Sequence, residues 1–353
     1  MLSTAGITIV GTGSYAPGDP IPNAALERVM KTDDAWIQQR TGIVQRHFVR
    51  NGEAASDLGV VAAERAIENA GLTVEDIDYV IFATMTPDHF IPGPGGVFAA
   101  KLGIPGVPVL DIRQQCAAIP FGLQVADGLV ATGAAETILF VGAEVHSSFM
   151  PWSNWDALFD PSAPIDEADF AKATEHRGIA VVFGDGAGAM VLRRSEVEGA
   201  GFRGSKLKTD GRDFDYLLLG APWRNQGSAA QRPDAIGDFI PTMKGPELFR
   251  RAVKELPKLV RGLCKDLGVT ADDVDCFVAH QANDRINEGV RKIMKLPEER
   301  MPSNIARYGN TSAATIPILL DELRRDGRVK QGDLLCLLAL GAGLHYGASL
   351  IRL

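Results

Sequence analysis

The chain alternates short apolar runs with helix-like segments, and a polar or reactive residue often marks the junction between them. Valines and a leucine lead into residues 111–120, and a helix-like run at 121–129 follows. In the second half, the apolar run 276–279 ends at His280, and a helix-like segment begins soon after. Strands that alternate with helices are typical of an α/β fold. The pattern therefore predicts an α/β protein.

The two halves of this pattern resemble each other. The matched segments are 71–81 with 268–278, 116–120 with 312–317, and 140–144 with 339–343. Their offsets are 197, 196 and 199 residues, nearly equal and in the same order. Such a repeat predicts two similar α/β units packed about a pseudo-two-fold axis, with ligands bound between them. We expect the units to span residues 1–195 and 196–353.

The repeat also indicates where the halves differ in chemistry. Cys116 of the first half matches Ser312 of the second. His280 occurs where the first half has Ala83, and Asn310 adds an amide two residues before Ser312. Cys116 lies between a predicted strand and a predicted helix, whose positive end stabilises the thiolate that attacks acyl groups. Taken singly, these residues also fit a buried cysteine, a structural histidine and a turn asparagine.

Composition and charge exclude several classes of function. The net charge of −8 over 353 residues argues against a general nucleic-acid binder. The four cysteines have no metal-ligand spacing and predict neither a zinc site nor disulfides. Gly11-Thr-Gly13 lacks the third glycine of a dinucleotide-binding loop. No signal-like N-terminus occurs, and the apolar run 334–344 is too short for a bilayer, so we expect a cytoplasmic protein.

Motifs along the whole chain combine the candidate residues. They are QQC at 114–116, HQAN at 280–283 and GNTSAATIP at 309–317, with further matches at 34–42, 183–188 and 341–347. Together they resemble the beta-ketoacyl-ACP synthase III family of the thiolase superfamily. HQAN and GNTSAA in this order are specific, whereas the glycine-rich run at 183–188 alone is weak. The resemblance implies a thiolase-like fold, with two pseudo-two-fold-related α/β halves in a layered αβαβα arrangement.

The resemblance implies a two-stage Claisen condensation without a metal or other cofactor. Cys116 first takes an acyl group from a thioester, usually of coenzyme A. A malonyl thioester on acyl carrier protein then loses carbon dioxide, and its carbanion attacks the acyl-cysteine. His280 and Asn310 would donate hydrogen bonds to the enolate oxygen. The backbone amides of Cys116 and Ala342 would form a second oxyanion hole, although the family usually has glycine at the latter position.

The resemblance also implies where substrate and carrier bind. The implied contacts are Trp36, Arg40 and Arg177 for adenine and phosphate, Phe249 for pantetheine and Arg285 for carrier protein. Pro246 departs from the asparagine that is common in the family before Phe249, which puts standard coenzyme A binding in question. Basic residues that would form a docking patch are Arg250, Arg251, Arg291, Lys292 and Lys295.

Two features concern the acyl tunnel and the dimer. Ile91 matches the position at which a neighbouring subunit closes the tunnel in the family, so the resemblance implies a homodimer. The segment at about 147–177 is longer than in the housekeeping synthases and is rich in large apolar residues. Such residues need something to cover, which predicts a cap over the tunnel or the dimer interface.

Three alternative functions stay open at this point. One is head-to-head condensation of two acyl thioesters, as in olefin- or pyrone-forming relatives. Another is acyl transfer to a hydroxyl or an amine, against which Asn310 argues because such relatives often lack it. The third is a non-catalytic partner subunit that binds an acyl chain or a carrier, which the intact set of cysteine, histidine and asparagine disfavours.

Overall fold

Two β-sheets organise the chain, and helices cover both faces of each. The computed structural model describes residues 6–220 and 240–353. Its strands are β1 (Ile7–Tyr15), β2 (Ile21–Pro22), β3 (Gln45–Arg46), β4 (Tyr79–Ala83), β5 (Val109–Ile112), β6 (Thr137–Glu144), β7 (Gly186–Arg194), β8 (Gly201–Thr209), β9 (Leu217–Leu218), β10 (Thr242–Met243), β11 (Cys276–Ala279), β12 (Leu334–Gly341) and β13 (His345–Arg352). Its α-helices are α1 (Asn23–Leu26), α2 (Asp34–Thr41), α3 (Ala55–Asn69), α4 (Pro94–Leu102), α5 (Ala118–Ala131), α6 (Asp156–Phe159), α7 (Glu167–Glu175), α8 (Arg177–Ala180), α9 (Gly245–Asp266), α10 (Asp284–Met294), α11 (Ile305–Tyr308) and α12 (Thr315–Arg325).

The two sheets share the order of four strands, and the first sheet has β5 as a fifth strand. The first runs β1-β7-β6-β4-β5, and the second runs β8-β13-β12-β11. In the first sheet β4 is parallel to β5 and β6, while β7 is antiparallel to β1 and β6. In the second sheet β11 is parallel to β12, and the remaining pairs are antiparallel. The first sheet uses residues 7–194 and the second uses residues 201–352.

Strand register shows how closely the second sheet repeats the first. Val80 pairs with Leu139 in the first sheet, and Phe277 pairs with Cys336 in the second, so both partners shift by 197 residues. The outer strand pairs β1–β7 and β13–β8 each carry one irregularity of register, between Ile9 and Gly11 in the first. A shared order, register and irregularity indicate two copies of one α/β unit.

The same offset corrects one pairing taken from the sequence repeat. Short 3₁₀ turns precede α5 and α12, and each begins with a residue of positive φ: Gln115 at 50° and Ser312 at 47°. The structural counterpart of Cys116 is therefore Ala313, and pairing Cys116 with Ser312 is wrong by one residue. With the offset of 197, CAAIP at 116–120 aligns with AATIP at 313–317 without a gap, and the two prolines match. Pairing Cys116 with Ser312 instead requires an inserted threonine in the second half.

Alternating side chains of the strands divide the interior into layers. Ile81 of β4 and Val278 of β11 face inward onto α5 and α12, which lie between the sheets. Phe82 faces outward onto α3 and α4, and Phe277 faces outward onto α9 and α10. β6 and β12 are buried along their whole length because both of their faces are covered. These layers confirm the αβαβα arrangement.

The segment 147–177 packs against its own chain. The segment buries large apolar residues in a cluster that is separate from the layers around the two sheets. This cluster combines Phe149, Met150, Trp152 and Leu158 with Leu26, Ile37 and Phe48 from the first 50 residues. The ring centroids of Trp152 and Phe48 lie 6.4 Å apart, in an edge-to-face arrangement. The apolar residues that predicted a cap thus form a satellite core beside α2.

Candidate active site

Strand ends bring the candidate residues together. Cys116 follows β5, His280 follows β11, and Gly341 is the last residue of β12. Carboxyl ends of neighbouring parallel strands meet at one edge of a sheet, and the pseudo-two-fold axis sets the two edges against each other. The Cβ that a side chain at Gly341 would add lies 3.0 Å from the backbone nitrogen of Cys116. The two sheets therefore meet at the cysteine.

Cys116 is buried, with 3% of its surface exposed, in the 3₁₀ turn that leads into α5. Its Sγ donates a hydrogen bond to Ser312 Oγ at 3.4 Å. Burial raises the pKa of the Cys116 thiol to about 12, which outweighs the lowering effect of that hydrogen bond. In the free protein the sulfur is therefore held as a thiol at neutral pH.

Ser312 links the three predicted catalytic residues. Its backbone N–H donates to Asn310 Oδ1 at 2.8 Å, and its hydroxyl accepts from Cys116. Its carbonyl accepts from the hydroxyl of Thr315 at 2.9 Å, and Thr315 Oγ1 lies 2.7 Å from His280 Nδ1. Cys116, Asn310 and His280 thus belong to one hydrogen-bonded cluster that is centred on a serine.

His280 is a neutral ring in this cluster. Burial lowers its pKa to about 3, and its Nε2 has no hydrogen-bond partner among the described residues. Thr315 has one hydroxyl proton. If Thr315 donates this proton to Nδ1, the imidazole proton is on Nε2; if Thr315 donates it to the Ser312 carbonyl, the imidazole proton is on Nδ1. A donor role for Nε2 requires the first arrangement.

Glu144, the last residue of β6, lies beside the cluster and is fully buried. Its carboxylate accepts hydrogen bonds from Thr84 Oγ1 at 3.0 Å, Thr86 Oγ1 at 2.8 Å and the Met85 backbone N–H at 3.0 Å. A side-chain hydrogen bond with Ser312 also acts to lower the pKa of Glu144. Burial raises the pKa of Glu144 to about 7, against the lowering effect of these donors.

The predicted substrate residues lie on a more open part of the surface. Trp36 on α2 contacts two guanidinium groups, with Arg40 Cζ 4.3 Å and Arg177 Cζ 4.5 Å from the centroid of its ring. Arg177 Nη1 also donates to the Lys31 carbonyl at 2.9 Å. The structure thus brings together the three residues predicted to meet adenine and phosphate.

Arg285 and Phe249 lie on the neighbouring helices α10 and α9. Arg285 is exposed in the first turn of α10, where the Asn283 side chain caps the helix and also donates to the Arg40 carbonyl at 2.9 Å. Phe249 is 38% exposed, and its ring lies beside Gly289 of α10, where an added Cβ would be 3.7 Å from Phe249 Cζ. Pro246 lies in the first turn of α9, where a missing backbone N–H leaves no helical hydrogen bond unmade.

The proposed basic patch is partly neutralised. Arg251 pairs with Asp210 and with Asp213, the latter at 3.3 Å. Arg250 pairs with Glu247 at 2.9 Å, and Lys292 pairs with Glu288 at 2.5 Å. The local positive charge is therefore smaller than the sequence suggests.

Ile91 lies apart from these residues, in the loop between β4 and α4. It is 92% exposed, and the adjacent Phe90 is 59% exposed. Two consecutive large apolar residues on a loop are a costly surface feature for an isolated chain. The contact with a neighbouring subunit that the sequence implies for Ile91 stays a prediction.

The described residues contain neither a candidate metal site nor a candidate membrane span. Within residues 6–220 and 240–353, no group of three or more histidine, cysteine, aspartate or glutamate side chains could hold a metal ion. No helix in the same ranges is long and apolar enough to cross a membrane.

Sequence reasoning missed three residues of the cluster. The sequence indicates Ser312 only as a repeat partner of Cys116, and it predicts no role in the site for Thr315 or Glu144. A signal for Glu144 exists, because an ionisable residue ends the otherwise apolar run 138–143. Ser312 and Thr315 carry no comparable signal, since hydroxyl residues are common at the start of helices.

Comparison with known proteins identifies the family. Residues 110–211 match the description 3-oxoacyl-[acyl-carrier-protein] synthase III, and residues 264–353 match its C-terminal part. The beta-ketoacyl-[acyl-carrier-protein] synthase III of Alkalilimnicola ehrlichii is 39% identical over 345 residues, which cover 98% of each chain.

Solved structures agree with this assignment. The 3-oxoacyl-[acyl-carrier-protein] synthase III of Aquifex aeolicus is similar with a TM-score of 0.83 and 33% identity, over 99% of this chain and all of that one. The priming beta-ketosynthase of the R1128 polyketide pathway is similar with a TM-score of 0.85 and 28% identity, over all of this chain and 98% of that one.

Proposed function

The chain belongs to the 3-oxoacyl-[acyl-carrier-protein] synthase III family of condensing acyltransferases, and we propose that it extends an acyl group in two stages on Cys116. The observation that carries the proposal is the Ser312-centred cluster: Cys116 and Asn310 hydrogen-bond to Ser312, and Thr315 Oγ1 lies 2.9 Å from the Ser312 carbonyl oxygen and 2.7 Å from His280 Nδ1. A structural cysteine would need no such neighbours.

In the first stage Cys116 attacks the carbonyl carbon of an acyl thioester, and the carrier thiol leaves. The negative charge that develops on the carbonyl oxygen is stabilised by the backbone N–H groups of Cys116 and Ala342. The close approach of Gly341 to the Cys116 backbone supports this assignment, because Ala342 follows on the same turn. The alanine side chain leaves its backbone N–H intact.

In the second stage a malonyl thioester loses carbon dioxide, and an enolate forms at its thioester oxygen. His280 Nε2 and Asn310 Nδ2 donate hydrogen bonds to this oxygen. The buried, neutral state of His280 supports a donor role, as does the absence of a competing partner for its Nε2 within the described residues. Asn310 Oδ1 is already occupied by the Ser312 N–H, so the amide nitrogen is left for substrate. The carbanion then attacks the acyl carbon, and the Cys116 thiolate leaves.

Thr315 sets the proton of His280 in this scheme. Its hydroxyl donates to Nδ1, which places the imidazole proton on Nε2, where the enolate forms. The other acceptor within reach of this hydroxyl, the Ser312 carbonyl oxygen, lies 2.9 Å away, farther than the 2.7 Å to Nδ1.

The thioester carriers approach from the surface of α2, α9 and α10. Trp36, Arg40 and Arg177 receive the adenine and phosphate groups of coenzyme A, and Phe249 lies along the pantetheine. Arg285 contacts acyl carrier protein, whose name appears in those of the relatives. We further propose a cytoplasmic homodimer in which Ile91 enters the tunnel of the other subunit, and catalysis without a metal or other cofactor.

A coupled assay tests the proposal. Purified protein is incubated with an acyl-CoA and malonyl-ACP, and the 3-oxoacyl product and carbon dioxide are both measured. We expect equal amounts of each, no product from Cys116→Ala, and normal product from the matched control Cys264→Ala. Product that forms from two acyl thioesters without malonyl-ACP would instead indicate head-to-head condensation.

A further inference from the structure

Glu144 is an unusual group to find beside a nucleophile. It is fully buried, and within residues 6–220 and 240–353 it forms no ion pair with a lysine, arginine or histidine. Its hydrogen-bond donors are neutral hydroxyl and amide groups, including the hydroxyls of Thr84 and Thr86. A buried carboxyl without a cation resists ionisation, and such groups are common in proton transfer.

A continuous path of donors and acceptors connects Glu144 to Cys116. The thiol donates to Ser312 Oγ at 3.4 Å, and the Ser312 hydroxyl is close enough to the Glu144 carboxyl to lower its pKa through a side-chain hydrogen bond. The backbone N–H of Ala313 also points to Glu144 Oε1, at 3.5 Å. One hydroxyl therefore separates the sulfur from a carboxylate.

The backbone holds Ser312 in this bridging position. Its N–H donates to Asn310 Oδ1 at 2.8 Å, and its carbonyl oxygen lies 2.9 Å from Thr315 Oγ1. Its φ of 47° lies in the left-handed region that residues other than glycine rarely adopt. Gly142 of β6 allows the approach, because a Cβ at that position would lie 2.5 Å from the Ala313 carbonyl oxygen. The chain accepts an unfavourable backbone conformation that places the hydroxyl between the two groups.

The nucleophile needs a proton acceptor. Burial raises the pKa of Cys116 to about 12, so little thiolate exists at neutral pH. His280 is a poor base, because burial lowers its pKa to about 3. The pKa of Glu144, raised by burial to about 7, is matched to a base that works near neutral pH.

We propose that Ser312 and Glu144 form a relay that carries the thiol proton of Cys116 to the Glu144 carboxylate during acylation and returns it when the thiolate leaves. The proposal rests on the proposed function. Both residues act through Cys116 and are positioning residues for its proton.

The proton balance closes over the cycle. In acylation, the S–H proton moves to Ser312 Oγ as the Ser312 proton moves to Glu144, and the sulfur forms a bond to the acyl carbon. The carrier thiolate leaves and takes a proton from water. In condensation, the carbanion displaces the Cys116 thiolate, which recovers its proton from Glu144 through Ser312.

Other titratable groups lie on or near the elements that pack against Glu144. Cys116 interacts electrostatically with Glu144. His146 follows Glu144 by two residues and is neutral, with a pKa that burial lowers to about 4. Asp185 adjoins Gly186, the β7 partner of Glu144, and burial raises its pKa to about 6 despite hydrogen bonds from Ser147. Asp88, beyond β4, accepts from Ser56.

Single-turnover acylation tests the relay. Full-length protein is mixed with an acyl-CoA between pH 5.5 and 9, and intact mass reports the acylated fraction over time. In the wild type the rate should rise through a midpoint near 7 and level off, because Glu144 must be ionised to accept the proton. Glu144→Gln and Ser312→Ala should each acylate roughly a hundredfold more slowly at pH 8. Their rates should rise with pH without levelling off.

Thr84→Val is the matched control. It removes one donor from the carboxylate and leaves the relay atoms in place, so the midpoint should move to higher pH while the plateau rate is kept. This variant also provides the test if the other two fail to fold. A midpoint that stays in place in Thr84→Val would overturn the relay, as would Glu144→Gln with the wild-type pH profile. If the wild type were not acylated at Cys116 at all, the proposed function would fail instead.

Discussion

Thr315→Val removes one hydroxyl from the active-site cluster and changes little else in shape. The Thr315 side chain is 2% exposed, and its Oγ1 lies 2.7 Å from His280 Nδ1. Without the hydroxyl, Nδ1 of a buried ring loses its partner, and nothing then favours the tautomer with the proton on Nε2. We therefore expect Thr315→Val to impair enolate stabilisation while leaving the Cys116 thiol in place.

The structure sets the size of this effect. Leaving a buried polar group without a partner costs about 1–3 kcal/mol. If this whole cost falls on the arrangement that stabilises the enolate, decarboxylation slows roughly five- to 150-fold, since each 1.36 kcal/mol is a factor of ten. Acylation should change much less, because no enolate forms in that stage.

The assay compares the two stages on the same variants. Carbon dioxide release from malonyl-ACP measures decarboxylation, intact mass measures acylation, and ¹⁵N chemical shifts of the His280 ring report which nitrogen is protonated. Thr315→Ser is the matched control, because it keeps the hydroxyl and should retain most of the activity. The reasoning would be refuted if Thr315→Val decarboxylated within twofold of the wild type, or if Thr315→Ser lost as much as Thr315→Val.

Three other predictions concern single residues. Asn310→Ala should lose about 3 kcal/mol of enolate stabilisation, a hundredfold or more in decarboxylation; an effect confined to acylation would reverse the assigned roles. Ile91→Phe should shift the preference for acyl-chain length towards shorter chains by filling space in the tunnel, and an unchanged preference would mean that Ile91 does not line the tunnel. Sedimentation velocity of the wild-type protein at assay concentration should show a dimer, and a fully active monomer would contradict the contribution of Ile91 from the other subunit. Glu144→Gln should gain stability relative to wild type as pH rises from about 4.5 to 7, because Glu144 ionises in the unfolded chain over this range, whereas burial raises its pKa in the folded chain to about 7. Urea denaturation at pH 5 and pH 8 measures this, and an equal difference at both would contradict the burial argument.

The fold could be predicted from the sequence because duplication leaves its pattern in strand ends and turns. The glycine, acidic turn and strand at 71–81 and 268–278 fix the offset of 197 residues that the strand register repeats. The sequence repeat pairs Cys116 with Ser312 only if one residue is inserted near the start of the second helix. The backbone of the two turns matches without an insertion, so the structure does not support that pairing. Structural equivalence therefore pairs the thiol with Ala313, and Ser312 becomes a contact of Cys116 across the axis.

The candidate site was predictable only for the residues that have distinctive chemistry. Cys116, His280 and Asn310 lie at junctions between apolar runs and helices, and their motif order is specific. The interactions of Ser312, Thr315 and Glu144 depend on contacts between segments far apart in sequence, such as the Ala313 N–H that points to Glu144. Their hydrogen-bond partners follow from the packing of the two halves, which residue type alone does not specify.

The central claim is that Cys116 carries the acyl group. Peptide mapping by mass spectrometry, after brief incubation of the wild-type protein with an acyl-CoA, tests it directly. The account predicts one acyl group per chain, on the peptide that contains Cys116 and absent from Cys116→Ala. An acyl group found on Cys264, Cys276 or Cys336, or none on any peptide of an active protein, would contradict the account.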